Sequence, residues 1–343
     1  MINRVVYNRK ITSIVLEELL IVSTAIYSAE LKQLSQTGDR LFDLGQFETA
    51  LNTFQEALKI VLTSEQQINI LNRIGLVYRR LEKYDCALKY LNLALQLAQE
   101  IGDQNRVVMI LNDIGETYCL SIEYTSALRY YAQALEIAQD FCNLLGMGII
   151  LNHLGEIYNL LGLFEQTLNC CQKSLEIFHK LERKSELDKL ACQTNIATAL
   201  YNIGEAYLWI GRYTQAKEIL ELTLAIRQKI CKVTLNKFSQ TTDSLDKNIL
   251  HNNYLNSKKL SQTNQLLQQE KICFSQSIIS QYRAELANTM NLIEKVYCHI
   301  GQQQKAEKYR QEKLEIWESC GEKSVIYNTY ILPFYLRFPC HYA

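Results

Sequence analysis

Two short stretches hold the residue types from which a metal site or a thiol nucleophile could be assembled: Cys298-His299, with Cys320 downstream, and the tandem Cys170-Cys171. Neighbours in sequence on a helix point in different directions, and this ligand spacing fits no common zinc class. A Cys–His nucleophilic pair has the same weakness. The other histidines, His153, His179, His251 and His341, are scattered along the chain. No glycine-rich phosphate loop, HExxH or GxSxG occurs. The chain is therefore expected to be no enzyme and to need neither metal nor cofactor.

Cysteine usage points the same way. The chain has 11 cysteines, an odd number, and no CxxC. Cys86, Cys119 and Cys171 fall where a helix would pack, which suits free thiols in a reducing cytoplasm. With 36 basic and 36 acidic residues there is no global field to favour nucleic acid. Only 2 prolines and 13 glycines occur among 343 residues, too few for an all-β protein with frequent turns. Both prolines, Pro333 and Pro339, lie near the C-terminus, so everything before them is free to be helix. Arg4, Arg9 and Lys10 precede an apolar stretch, Ile11–Tyr27, but Glu17 and Glu18 interrupt it. It reads as an amphipathic helix, not as a targeting signal or a membrane span.

The elements that would position any site are visible as a repeat. Leu71-Asn72-Arg73-Ile74-Gly75-Leu76-Val77-Tyr78 recurs as Leu111-Asn112-Asp113-Ile114-Gly115-Glu116-Thr117-Tyr118. It recurs again as Leu151-Asn152-His153-Leu154-Gly155-Glu156-Ile157-Tyr158, and as Leu200-Tyr201-Asn202-Ile203-Gly204-Glu205-Ala206-Tyr207. Tyr84, Tyr124, Phe164 and Tyr213 follow the glycines, and then Ala87, Ala127, Thr167 and Ala216. A weaker copy runs from Gly38 through Gly45, Phe47, Ala50, Phe54 and Ala57, and another through Tyr297, Gly301 and Ala306. A glycine inside a helix costs about 1 kcal/mol relative to alanine, so its return on one face implies close approach of a second helix. The Ala and aromatic positions form one buried stripe.

This pattern resembles the tetratricopeptide repeat family, over residues 30–232 and 280–318. The spacing near 40 residues looks like the longer-helix variety of kinesin light chains and cyanobacterial arrays. The resemblance implies an all-α, right-handed α-solenoid of stacked antiparallel helix pairs, about six repeats with terminal capping helices. In the family the first helix of each pair lines a concave groove where ligands lie. The corresponding positions are Asn72, Arg73, Arg79 and Arg80, then Asn112 and Glu116, Asn152 and Glu156, and Asn202 and Glu205. Asp113, His153, Asn159, Tyr201 and Trp209 also fall at such positions. An asparagine recurs at one position in three copies, and a carboxylate recurs a turn later. Asparagine both donates and accepts. The row can bond the backbone of an extended peptide, or it can bond across to the neighbouring repeat.

Five segments follow: an N-terminal amphipathic capping helix at 1–29, the array at 30–232, a polar and mobile insertion at 233–265, a C-terminal helix pair at 266–320, and an aromatic tail at 321–343. A decayed helical repeat is the alternative for the insertion, since long structureless loops are uncommon. The charged stretch near 180–189 is helix-forming, so longer helices are expected there. The tail reads as a cap over the last pair, with partner docking or membrane contact as alternatives. The expected function is a cytoplasmic scaffold or adaptor that binds a segment of another protein or peptide. A peptide-sensing regulator, or an assembly factor for a larger and possibly photosynthetic complex, are the alternatives.

Overall fold

The computed structural model describes residues 25–183, 189–252 and 280–320, with side chains through 236 in the second stretch and 318 in the third. The expected N-terminal cap falls almost wholly outside the described residues; the aromatic tail, residues 253–265 of the expected insertion and 184–188 lie entirely outside them.

Every regular element among the described residues is an α-helix, and there are twelve. They are α1 (25–43), α2 (Phe47–Lys59), α3 (Ser64–Arg80), α4 (Tyr84–Glu100), α5 (Gln104–Leu120), α6 (Tyr124–Asp140) and α7 (Leu144–Leu160). Then come α8 (Phe164–Glu182), α9 (Lys189–Ile210), α10 (Tyr213–Asn252), α11 (280–299) and α12 (Gln303–Cys320). Odd-numbered helices open a pair and even-numbered ones close it, with short turns between. The chain forms two units, 1–117 and 118–343, each built of stacked antiparallel helix pairs in the manner of an α-solenoid.

The repeat residues explain the hairpins. The motif tyrosine accepts the bond that ends each opening helix: Lys83 N–H donates to Tyr78 O (3.0 Å), Leu163 N–H to Tyr158 O (2.8 Å) and Arg212 N–H to Tyr207 O (2.9 Å). This closure needs a left-handed residue just past the helix. Gly162 and Gly211 supply it at φ 73° and 85°, whereas Ile122 is forced to φ 66°. The tyrosine ring then lies on the closing helix. Tyr78 stacks on Tyr90 with centroids 5.4 Å apart, and Tyr118 on Tyr130 at 5.3 Å.

In the first unit Leu31, Phe47, Ala50, Phe54, Ala57, Ile70, Ile74 and Val77 form the core. The motif glycine sits against the stripe of the closing helix: a β-carbon on Gly75 would come 2.7 Å from Leu91 Cγ. In the second unit Gly155 is seated against Cys171. There the stripe substitutes hydroxyls for alanine, and each finds an acceptor on the facing helix. Thr167 Oγ1 donates to Gly155 O (3.1 Å) and Ser174 Oγ to Gly148 O (2.9 Å). Polar groups are tolerated in this core because they are bonded.

The helices flanking the charged stretch are longer, as the sequence predicts: α8 has 19 residues and α9 22, against 17 in each of α3 to α7. Helix α10 runs on to Asn252, so the opening part of the expected insertion is helical. Its polar composition suggests irregular backbone, but no glycine or proline interrupts it, and Thr234 turns its hydroxyl back to Ile230 O (2.9 Å).

Candidate functional site

The residues singled out from the sequence lie on the opening helices, so the site is whatever remains available once those helices pack side by side. In the first unit, α3 meets α5 through a polar seam. Asn72 donates Nδ2 to Asp113 Oδ2 at 3.2 Å. Arg79 donates Nη1 to Asp113 O at 3.4 Å and pairs with Glu116 Oε2 at 2.8 Å. Burial pushes the Asp113 carboxyl up to about 6; Arg79 opposes the shift and Glu116 adds to it. Arg73 pairs with Asp39 Oδ1 at 3.0 Å and stays exposed. Arg80 is exposed and stands 5.8 Å over the Phe42 ring, while Asn112 is half-buried on α5.

The second unit repeats the seam with different chemistry. Asn152 donates Nδ2 to Asn195 O (3.0 Å), and Asn202 donates Nδ2 back to Asn152 O (3.2 Å). Asn159 donates to Asn202 O at 2.9 Å and to Glu205 Oε2 at 3.3 Å. All three asparagines are buried. Asn72, Asn152 and Asn202 thus use their amide N–H groups between helices. Of the two roles open to the row, the one in view is the stapling of one repeat to the next.

What faces solvent on the opening helices of this unit is different. Glu156 is exposed on α7, in one stripe with Asn152 and Asn159. Trp209, in the last turn of α9, is 43% exposed. Its indole N–H donates to the half-buried Glu205, whose carboxyl is raised by burial, an effect opposed by the Lys295 charge and by the bonds from Trp209 and Asn159. The Lys295 ammonium stands 5.8 Å over the Trp209 ring. Lys295 escapes the sequence alignment because its repeat lacks the first glycine; only Tyr297, two residues on, marks the register.

The thiols and histidines fill other roles. Cys171 is fully buried, and burial pushes its thiol up to about 12, far from the thiolate a nucleophile needs. His299 stacks on Tyr213 with centroids 4.7 Å apart, and His153 lies 5.5 Å from the Tyr131 ring. Among the described residues no group of three or more His, Cys, Asp or Glu could hold a metal ion. No described helix is long and apolar enough to cross a membrane.

Two stretches, 66–140 and 146–229, match the family model for the tetratricopeptide repeat. No curated protein matches the chain. Solved structures share the fold. BtubC (BKLC) from P. vanneervenii is 20% identical, with a TM-score of 0.53, covering 62% of this chain and 86% of its own. A Rap protein complexed with Competence and Sporulation Factor is 15% identical, with a TM-score of 0.52, covering 85% and 75%. Aspartyl phosphate phosphatase F from Bacillus subtilis is 16% identical, with a TM-score of 0.55, covering 88% and 73%. At these identities the likeness is one of fold.

Proposed function

Because residues 66–140 and 146–229 are tetratricopeptide repeats, we propose that the chain is a non-catalytic scaffold of the cytoplasm that holds an extended segment of a partner protein along its opening helices. Proteins with these repeats bind other proteins or peptides. The observation that carries the reading is Trp209, a large aromatic 43% exposed on an opening helix and fixed in place by its bond to Glu205. An exposed ring held rigid loses little freedom on binding, which is why tryptophan anchors interfaces so often. Within the second unit Glu156 offers a charge on the same class of helix, Glu205 lies in the seam, and Asn152, Asn159 and Asn202 set the spacing between opening helices; within the first, Arg73 and Arg80 offer charges and Glu116 lies in the seam. Nucleic acid is a poor occupant for such a surface, which mixes both signs of charge with no basic stripe.

A regulator that senses its bound segment is a second form of this reading, favoured by the Rap protein of like fold that was solved with Competence and Sporulation Factor. Photo-crosslinking tests the common core of both. A photoreactive residue at position 209 is expected to capture one contiguous segment of a partner from the native host, whereas the same residue at Lys173, exposed on α8, captures none. Equal capture from the two positions would overturn the proposal.

A further inference from the structure

The two seams can be compared position by position. Arg79 and Asn159 each lie four residues beyond the motif glycine of their repeat, Gly75 and Gly155. Each reaches the residue two before the next motif glycine and the carboxylate one after it. For Arg79 these are Asp113 O and Glu116, for Asn159 they are Asn202 O and Glu205. The geometry is the same, and the charge is not. Glu116 meets a guanidinium at 2.8 Å; Glu205 meets a neutral amide at 3.3 Å and a neutral indole N–H.

The helix ends repeat the contrast. The last turn of α3 carries Arg79 and Arg80, which complement the negative end of the helix dipole. The last turns of α7 and α9 hold no basic residue. Glu156 and Glu205 stand near these ends instead; Lys295 is set over the Trp209 ring, and Arg212, in the turn after α9, lies 6.0 Å over the Tyr207 ring. The Glu205 carboxylate, bonded to Asn159 from the last turn of α7, thus lies beside the Lys295 ammonium and the exposed Trp209 indole. A planar cation fits all of these: it can pair with a carboxylate through two N–H groups and stack on an indole, which a compact ammonium cannot do.

We propose that the Glu205–Trp209 end of α9 receives an arginine side chain of the bound segment, its guanidinium taking on Glu205 the part that Arg79 plays on Glu116. The inference rests on the scaffold reading above and narrows it to a segment with arginine at one fixed place. Lys295 holds the site in the absence of that segment and yields the indole face to it.

A random dodecapeptide display library panned on the full chain tests this. Peptides retained by the wild type are expected to carry arginine at one aligned position, enriched several-fold over the library. Asn159→Arg supplies the cation from within and should abolish the enrichment, as should Glu205→Gln. Lys295→Met should strengthen capture of the arginine peptides. A selected peptide resynthesised with citrulline, the neutral isostere, should bind about ten-fold more weakly to the unmodified chain. That arm requires no protein variant, so a folding defect cannot mask the result. Peptides retained without a preferred arginine, or bound equally well as citrulline forms, overturn the arginine site and leave the scaffold reading standing. A library from which nothing is retained counts against both.

Discussion

Gly204 faces Leu220 so closely that a β-carbon at position 204 would lie 2.6 Å from the leucine Cγ and Cδ2. Alanine is ordinarily the better helix former by about 1 kcal/mol. Here the gain is outweighed, because Leu220 is fully buried and has nowhere to move. Gly204→Ala is expected to lower stability by about 1–3 kcal/mol in urea unfolding. Glu218→Ala, on the exposed side of the same pair, should leave the midpoint in place. An equal or higher midpoint for the glycine variant would refute the packing described.

Ile122 is β-branched at a left-handed turn position that Glu82 (φ 59°), Gly162 and Gly211 fill in other copies. Its φ of 66° is one a β-branched residue adopts at a cost of about 1–2 kcal/mol, and its side chain is 50% exposed. Removing the side chain relieves the strain and forfeits little burial, although glycine also frees the unfolded chain. Ile122→Gly should therefore raise stability by up to about 1 kcal/mol. Glu123→Gly, next to it but without positive φ, should not. Chemical denaturation of both variants decides it.

Asn159 joins two opening helices through Asn202 O and Glu205. Asn159→Ala removes both of these bonds from a buried seam and should cost about 1–2 kcal/mol. Glu156→Ala, one turn away and exposed, should cost next to nothing. If both asparagine and glutamate variants melt like the wild type, the asparagines do not staple the repeats.

Asp113 adds a pH dependence. Its carboxyl binds a proton more tightly in the folded chain, at about 6, than an ordinary aspartate does at 3.8. A raised acid contributes stability that is fully present below its unfolded pKa and is lost as pH rises through the folded one. Between pH 7 and pH 5 the wild type should gain about 1 kcal/mol over Asp113→Asn, whose side chain does not titrate. Unfolding free energies measured for both across that window give the difference directly. A constant difference would show that the seam does not disfavour the charge.

These sites differ in how plainly the chain announces them. Gly75, Gly155 and Gly204 are legible because each must admit a residue of the closing helix sixteen positions on (Leu91, Cys171 and Leu220), a steric demand that glycine alone meets. The asparagines are legible as a row, but a side chain that both donates and accepts serves a ligand or a neighbouring helix equally well, so spacing leaves its partner open. The correspondence of Arg79 with Asn159 is hidden: the same register holds Cys119 and Leu208 in the other copies, and only the shared reach across the seam reveals it. The run of α10 past 233 is hidden for another reason, since polar residues on a helix without glycine or proline look like a linker.

The claim that a partner lies along the opening helices is tested most directly by affinity. The segment captured at position 209 can be synthesised and titrated calorimetrically against the wild type, Trp209→Ala and Lys173→Ala. A buried aromatic anchor accounts for about 2 kcal/mol or more, so Trp209→Ala should bind at least about thirty-fold more weakly. Lys173→Ala should match the wild type. Equal affinities for all three would contradict the account.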